Sequence, residues 1–179
     1  MGVVGKQPLV RGYRRGRDGA EHAQDRRRRS EPGGGVTMPY VTDHPIDIAD
    51  WRACPIEGVE GASVEFQGLV RREEGGAPIA CLEYETYAPM AERVIARLVE
   101  QARQRWPVRE VCVTHRVGRI PVGRLALFVG VRAEHRREAF EACQFLIDEI
   151  KREAPIWKTA IAADGTRLHA PCIHGHSSD

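Results

Sequence analysis

Residues 131–158 read VRAEHRREAFEACQFLIDEIKREAPIWK and join the clearest amphipathic helix of the chain to its densest cationic chemistry. Ala139, Phe140, Cys143, Leu146, Ile147 and Ile150 recur at intervals of three and four, the spacing that lines one face of an α-helix. Pro155 stops the helix, and Trp157 and Lys158 follow in an extended segment, where the aromatic either walls a pocket or caps the core. The two helix ends differ electrostatically. Lys151 and Arg152 suit a C-terminus, which attracts cations, whereas His135, Arg136 and Arg137 crowd an N-terminus, which repels them. Two readings follow: an anion shared by free backbone N–H groups and basic side chains, or a solvated basic turn balanced by Glu134 and Glu138.

Working outward, Leu125, Leu127, Val129 and Val131 alternate as in a strand, and Val111, Val113, His115 and Val117 share one face of another, with residues 118–123 turning the chain between them. Pro89 opens a second helix whose stripe runs through Met90, Val94, Ile95, Leu98, Val99, Ala102 and Trp106. Residues 63–70, SVEFQGLV, form a strand; the Gly-rich stretch 73–78 predicts a hairpin to the next strand at 79–87. A short strand and a short helix near 46–53 precede them. The order strand, strand, helix, strand, strand, helix, extended tail is an α+β pattern in a single domain.

Residues 1–37 differ in kind. They carry nine Lys/Arg against four Asp/Glu, with Arg26–Arg29 in a row and Gly33–Gly35 in a row, and read as a disordered basic extension. Met38, just after the glycines, is a candidate true start. The remaining residues hold 18 Lys/Arg against 21 Asp/Glu, so the basic character belongs to the extension, which argues against a folded nucleic-acid binder. No apolar run reaches membrane-spanning length and the N-terminus lacks a secretory pattern, which points to the cytoplasm. Five scattered cysteines without a C-x-x-C pair give no disulfide framework, and Cys81, Cys112 and Cys143 read as small buried hydrophobes. His169, Cys172, His174 and His176 crowd the C-terminus, but their spacing matches no closed zinc pattern, so no metal is expected.

Several blocks in order resemble the large, catalytic subunit of molybdopterin synthase, the MoaE family. They are F-x-G-x-V-R at Phe66–Arg71, L-E-Y-E-x-Y-x-P-M-A-E at Leu82–Glu92, R-W-P at Arg105–Pro107, H-R-V-G at His115–Gly118 and P-V-G at Pro121–Gly123. Two more follow, H-R-x-E-A-F-E-A-C at His135–Cys143 and I-D-x-I-K-x-x-x-P-I-W-K at Ile147–Lys158. The resemblance implies an α/β-hammerhead fold with additional antiparallel strands over residues 38–160, followed by a tail at 161–179. It also implies sulfur transfer. A thiocarboxylate on the C-terminal glycine of a ubiquitin-like small subunit would supply the sulfur, and cyclic pyranopterin monophosphate would become the dithiolene of molybdopterin. The implied assembly is a homodimer of large subunits within a heterotetramer, with no cofactor in this step.

Carried across residue by residue, the implied catalytic lysines are Lys151, beside the thiocarboxylate, and Lys158, assisting proton transfer or holding the pterin. Arg71, His135 and Arg136 are the implied substrate-binding cations. A cyclic phosphate and an anionic carrier tail must be brought together, which demands converging positive charge. Leu69 stands where many relatives have lysine, Ala160 where many have glutamate, and Arg119 and Arg124 replace commonly acidic positions. A noncatalytic module that docks a ubiquitin-like protein or a phosphate ligand is the competing reading; docking alone would require neither Lys151 nor Lys158.

Overall fold

The computed structural model describes residues 38–168. Over them the chain runs β1 (Val41–Thr42), α1 (Ala49–Ala53), β2 (Ala62–Leu69), β3 (Glu73–Glu74), β4 (Ala77–Pro78) and β5 (Cys81–Thr86). It continues with α2 (Ala88–Arg105), β6 (Val108–Arg116), β7 (Gly118–Pro121), β8 (Leu125–Ala133), α3 (Arg136–Glu153), β9 (Ile156–Ile161) and β10 (Arg167–Leu168). The fold is α+β, as expected.

Two four-stranded sheets organise these elements, the first in the order β1-β6-β8-β2 and the second in the order β10-β9-β5-β7. Only β1 pairs in parallel within them. β8 is the centre of the first sheet, buried from Ala126 to Ala133, and it needs an antiparallel neighbour on each side, β6 and β2. Ile95, Leu98 and Ala102 of α2 and Ala139, Ala142, Leu146 and Ile150 of α3 pack with Val113, Val129 and Val131 in the principal core. The stripe on each helix is narrower than its sequence suggested: Met90 and Phe140 stay largely exposed, at 52% and 62%.

The expected hairpin between the strands at 63–70 and 79–87 does not form. β2 pairs with β8, while β5 lies in the second sheet between β9 and β7. The Gly-rich stretch instead closes a ribbon of its own, β3 against β4, separate from both sheets. The turn expected at 118–123 is also partly a strand, since β7 pairs with β5. The second sheet extends past residue 160, where Leu168 pairs with Ala160 and Arg167 with Ile161. Cys112 and Cys143 are buried as expected, but Cys81 is only half-buried. Residues 1–37 and the His/Cys-rich segment from 169 lie outside the described residues.

A smaller cluster covers part of the first sheet. Trp51 of α1 is fully buried against Phe128 and Cys112, its ring meeting Phe128 edge-on at 6.0 Å. Arg132, 3% exposed, holds this helix in place: its guanidinium lies 4.3 Å from the Trp51 ring centre, donates to the Trp51 carbonyl at 2.6 Å and pairs with Glu110 at 2.7 Å. Gly130 lies beneath the indole, and a Cβ there would sit 2.7 Å from two Trp51 ring atoms. Gly130→Ala is therefore expected to destabilise the fold by roughly 1–3 kcal/mol, the usual cost of overpacking, read as a lower urea midpoint at unchanged slope. An unchanged midpoint would show that the indole has room to move.

Candidate functional site

β2 ends in a bulge at Gly68/Leu69, and Val70 is then pinned by two backbone bonds, its N–H to the Arg124 carbonyl and its carbonyl to the Gly123 N–H. Arg71 projects just beyond this anchor, and the β3–β4 ribbon follows, closed at its base where the Ile79 N–H donates to the Arg72 carbonyl at 2.9 Å. Gly75 and Gly76 both adopt positive φ, +59° and +80°, the backbone that a tight two-residue hairpin turn requires. The ribbon carries Glu74 over the rim of the second sheet. There the Glu74 carboxylate accepts a hydrogen bond from Lys158 Nζ on β9 and lies 3.5 Å from Arg71 Nη2.

This carboxylate is 12% exposed, and burial alone would raise its pKa. The hydrogen bond from Lys158 and the charges of Lys158 and Arg71 outweigh that and lower it overall, so it sits there as an anion. Tyr84, directly across from Lys158 in the β5–β9 pairing, is pushed up to about 12 by burial and by the nearby Glu74 charge. Behind it, the Tyr84 ring meets His115 of β6 edge-on at 5.1 Å, joining the second sheet to the first.

His115 Nδ1 lies 2.8 Å from the Arg116 carbonyl, so Nδ1–H is the donor of that bond. Burial lowers its pKa from 6.5, and that backbone bond only partly opposes the shift. The unfolded chain therefore binds more protons, and this contribution to stability is present above about pH 6.5 and lost as pH falls, by at most about 1.4 kcal/mol per pH unit. A His115→Gln variant should show a shallower fall of Tm between pH 7 and pH 5 than the parent chain. Equal slopes would assign the acid sensitivity to other groups.

Lys151 occupies the last turn of α3, with Nζ 5.9 Å from the Phe66 ring centre of β2. Among the described residues it has no carboxylate partner. At the opposite end of α3, His135 is the N-cap residue without a side-chain cap bond, 3.8 Å from a Glu134 oxygen. Arg137 is tied to Glu141 at 2.7 Å, whereas Arg136 makes no ion pair among the described residues. The helix is continuous between these ends, so the 16 residues separating His135 from Lys151 span ~24 Å at 1.5 Å each.

Comparison with known proteins places this architecture. The family model described as MoaE protein matches residues 41–153, most of the chain. This chain belongs to the MoaE family. The molybdopterin synthase catalytic subunit of Nostoc sp. is 39% identical over 127 residues, covering 70% of this chain and 77% of that protein. Among solved structures, molybdopterin synthase from Staphylococcus aureus superposes with a TM-score of 0.67 at 33% identity, covering 73% of this chain and 96% of that one. A protein–protein complex of subunits 1 and 2 of molybdopterin-converting factor from Helicobacter pylori shares the fold, with a TM-score of 0.55 at 23% identity over 64% of this chain and 75% of that one.

Within this MoaE fold, then, Arg71 and Lys158 are brought together through Glu74, Lys151 sits apart on Phe66, and His135 and Arg136 are carried to the far end of α3. Trp157, offered by sequence as pocket wall or core cap, does not cap the core; it is 60% exposed. Two departures from family habit have local reasons. Ala160 is buried against Leu82 and Ile120, where a carboxylate would be desolvated, and the carboxylate beside Lys158 comes from Glu74 instead. Arg119 pairs directly across the strands with Glu83 at 3.1 Å. Sequence reading assigned no role to Glu74, Tyr84, His115 or Phe66. Three of them stood inside the quoted blocks, but Glu74 stood in a stretch read only as a loop.

Proposed function

We propose that this chain is the catalytic subunit of a molybdopterin synthase, moving sulfur from a thiocarboxylated ubiquitin-like small subunit to cyclic pyranopterin monophosphate. The observation that carries this reading is the meeting of Arg71 and Lys158 on one anion, in a chain whose relatives are catalytic subunits of that enzyme. A dithiolene holds two sulfurs, so two thiocarboxylates are consumed for each product, and each carrier terminus ends as a carboxylate once water cleaves its acyl–sulfur bond. Lys151 serves as the acid–base group beside the thiocarboxylate, its ammonium 5.9 Å from the centre of the Phe66 ring. Lys158 and Arg71 hold the phosphate or pterin oxygens.

The step needs no metal or cofactor in this reading, and it is placed in the cytoplasm. Among the described residues no helix is long and apolar enough to cross a membrane. The carrier is a small ubiquitin-like subunit, and two large subunits pair within a heterotetramer. Because α3 holds His135 and Arg136 ~24 Å from Lys151, the basic turn of one protomer completes the pocket of the other.

The direct test mixes purified protein with a thiocarboxylated ubiquitin-like carrier and cyclic pyranopterin monophosphate, and measures dithiolene product after oxidation to its fluorescent form. Product above a carrier-only control is expected. Its absence would favour a module that binds without turnover.

A further inference from the structure

Glu74 is an acidic side chain placed inside the cationic pair that should receive an anion. Its carboxylate engages both Lys158 and Arg71, the two groups that would otherwise face an incoming phosphate or carboxylate. The element carrying it is the least anchored part of the site. β3 and β4 pair only with each other, over two residues each, and belong to neither sheet. Such an isolated ribbon is marginal by itself. Its tip is Gly75-Gly76, and its base is tied where Ile79 meets Arg72, so it can tilt about that base without disturbing β2 or β5. Arg71 and Lys158 are by contrast set on firm ground, one just after the pinned Val70 and the other within β9.

We propose that Glu74 is an internal counter-anion: it occupies the Arg71–Lys158 pair in the unliganded subunit, and an anionic ligand binds there by displacing it as the β3–β4 ribbon tilts away. The ligand chemistry is a compact oxyanion, either the cyclic phosphate of the pterin or the carboxylate-type terminus of the carrier; the naming of these two rests on the sulfur-transfer reading. Displacement makes the site selective. A neutral molecule cannot compensate the two cations once Glu74 leaves, whereas an anion restores both pairings. While Glu74 holds the pair, apparent affinity is reduced by the fraction of molecules in which the cations are open.

The test uses the full chain and its Glu74→Gln variant, which keeps the shape and removes the charge. Inorganic phosphate and a short peptide ending in a free Gly-Gly carboxylate are titrated against each, with binding read from backbone amide shifts. The variant is expected to bind one of the two probes about three- to tenfold more tightly, as removal of a competing internal state requires, and the probe that gains identifies the oxyanion served. Parallel dithiolene assays should show a lower KM with kcat unchanged or reduced. Unchanged or weakened binding of both probes would overturn the proposal and leave Glu74 as a residue that merely orients Lys158. If neither protein forms dithiolene while phosphate binding still tightens, the sulfur-transfer reading falls and the counter-anion stands. Dithiolene formation with unaltered affinities gives the reverse.

Discussion

Lys151→Ala and Lys158→Ala are each expected to fold normally and to lose turnover by about 10²–10⁴-fold, the range a positioned acid–base group contributes. The stability side is small. Lys151 is exposed and makes only the 5.9 Å approach to Phe66, while Lys158 is half-exposed and its pairing with Glu74 is screened by solvent. The rate side is large because the proposed mechanism sets both ammonium groups where charge moves during transfer. The two variants should differ in kind. Lys151→Ala should lower kcat with little change in substrate affinity, the signature of a group used in the transition state; Lys158→Ala should also weaken binding, since it removes half of the cation pair. Thermal melts on both proteins verify folding, and single-turnover measurements separate chemistry from release. Undiminished turnover in both would remove them from the mechanism.

The second large effect concerns two subunits. Arg136→Ala and Lys151→Ala proteins, each inactive alone, should recover up to about half of one parent dimer's activity when mixed, because one of the two shared pockets then has all its residues. The expectation rests on α3: its continuous 18 residues hold Arg136 and Lys151, neither ion-paired among the described residues, at opposite ends, too far apart for one small molecule to touch both. Differently tagged subunits allow the mixed dimer to be isolated before assay. No recovery, with mixed dimers shown to have formed, would place each site within a single chain. Recovery that requires prolonged incubation would only report slow subunit exchange.

The outcome bears on how a basic first turn should be read. His135, Arg136 and Arg137 oppose the helix dipole, and sequence left both an anion site and a solvated turn open. Among the described residues Arg137 finds a firm carboxylate, Glu141, and His135 lies 3.8 Å from Glu134, whereas Arg136 makes no ion pair, so the electrostatic conflict at this end is relieved only in part. An anion held in a second subunit's pocket would relieve it.

What sequence determined about this protein is local. The spacing of apolar residues placed α2 and α3, and alternation placed β2, β6 and β8, because periods of 3.6 and 2 are set by the backbone itself. The ordered blocks also carried the family, and with it the proposal of Lys151, Lys158 and Arg71 as site residues. What tertiary structure alone decided is which strands are neighbours and which distant side chains meet. Alternation says which face of a strand is buried, not which strand lies beside it, so β2 and β5 looked like a hairpin until the doubly covered β8 claimed β2 and the second sheet claimed β5. Glu74 and Lys158, 84 residues apart, are joined only by that choice. With β5 paired to β9, the ribbon hanging from the start of β5 sets its Glu74 carboxylate on Lys158, and a stretch that read as loop becomes part of the candidate site.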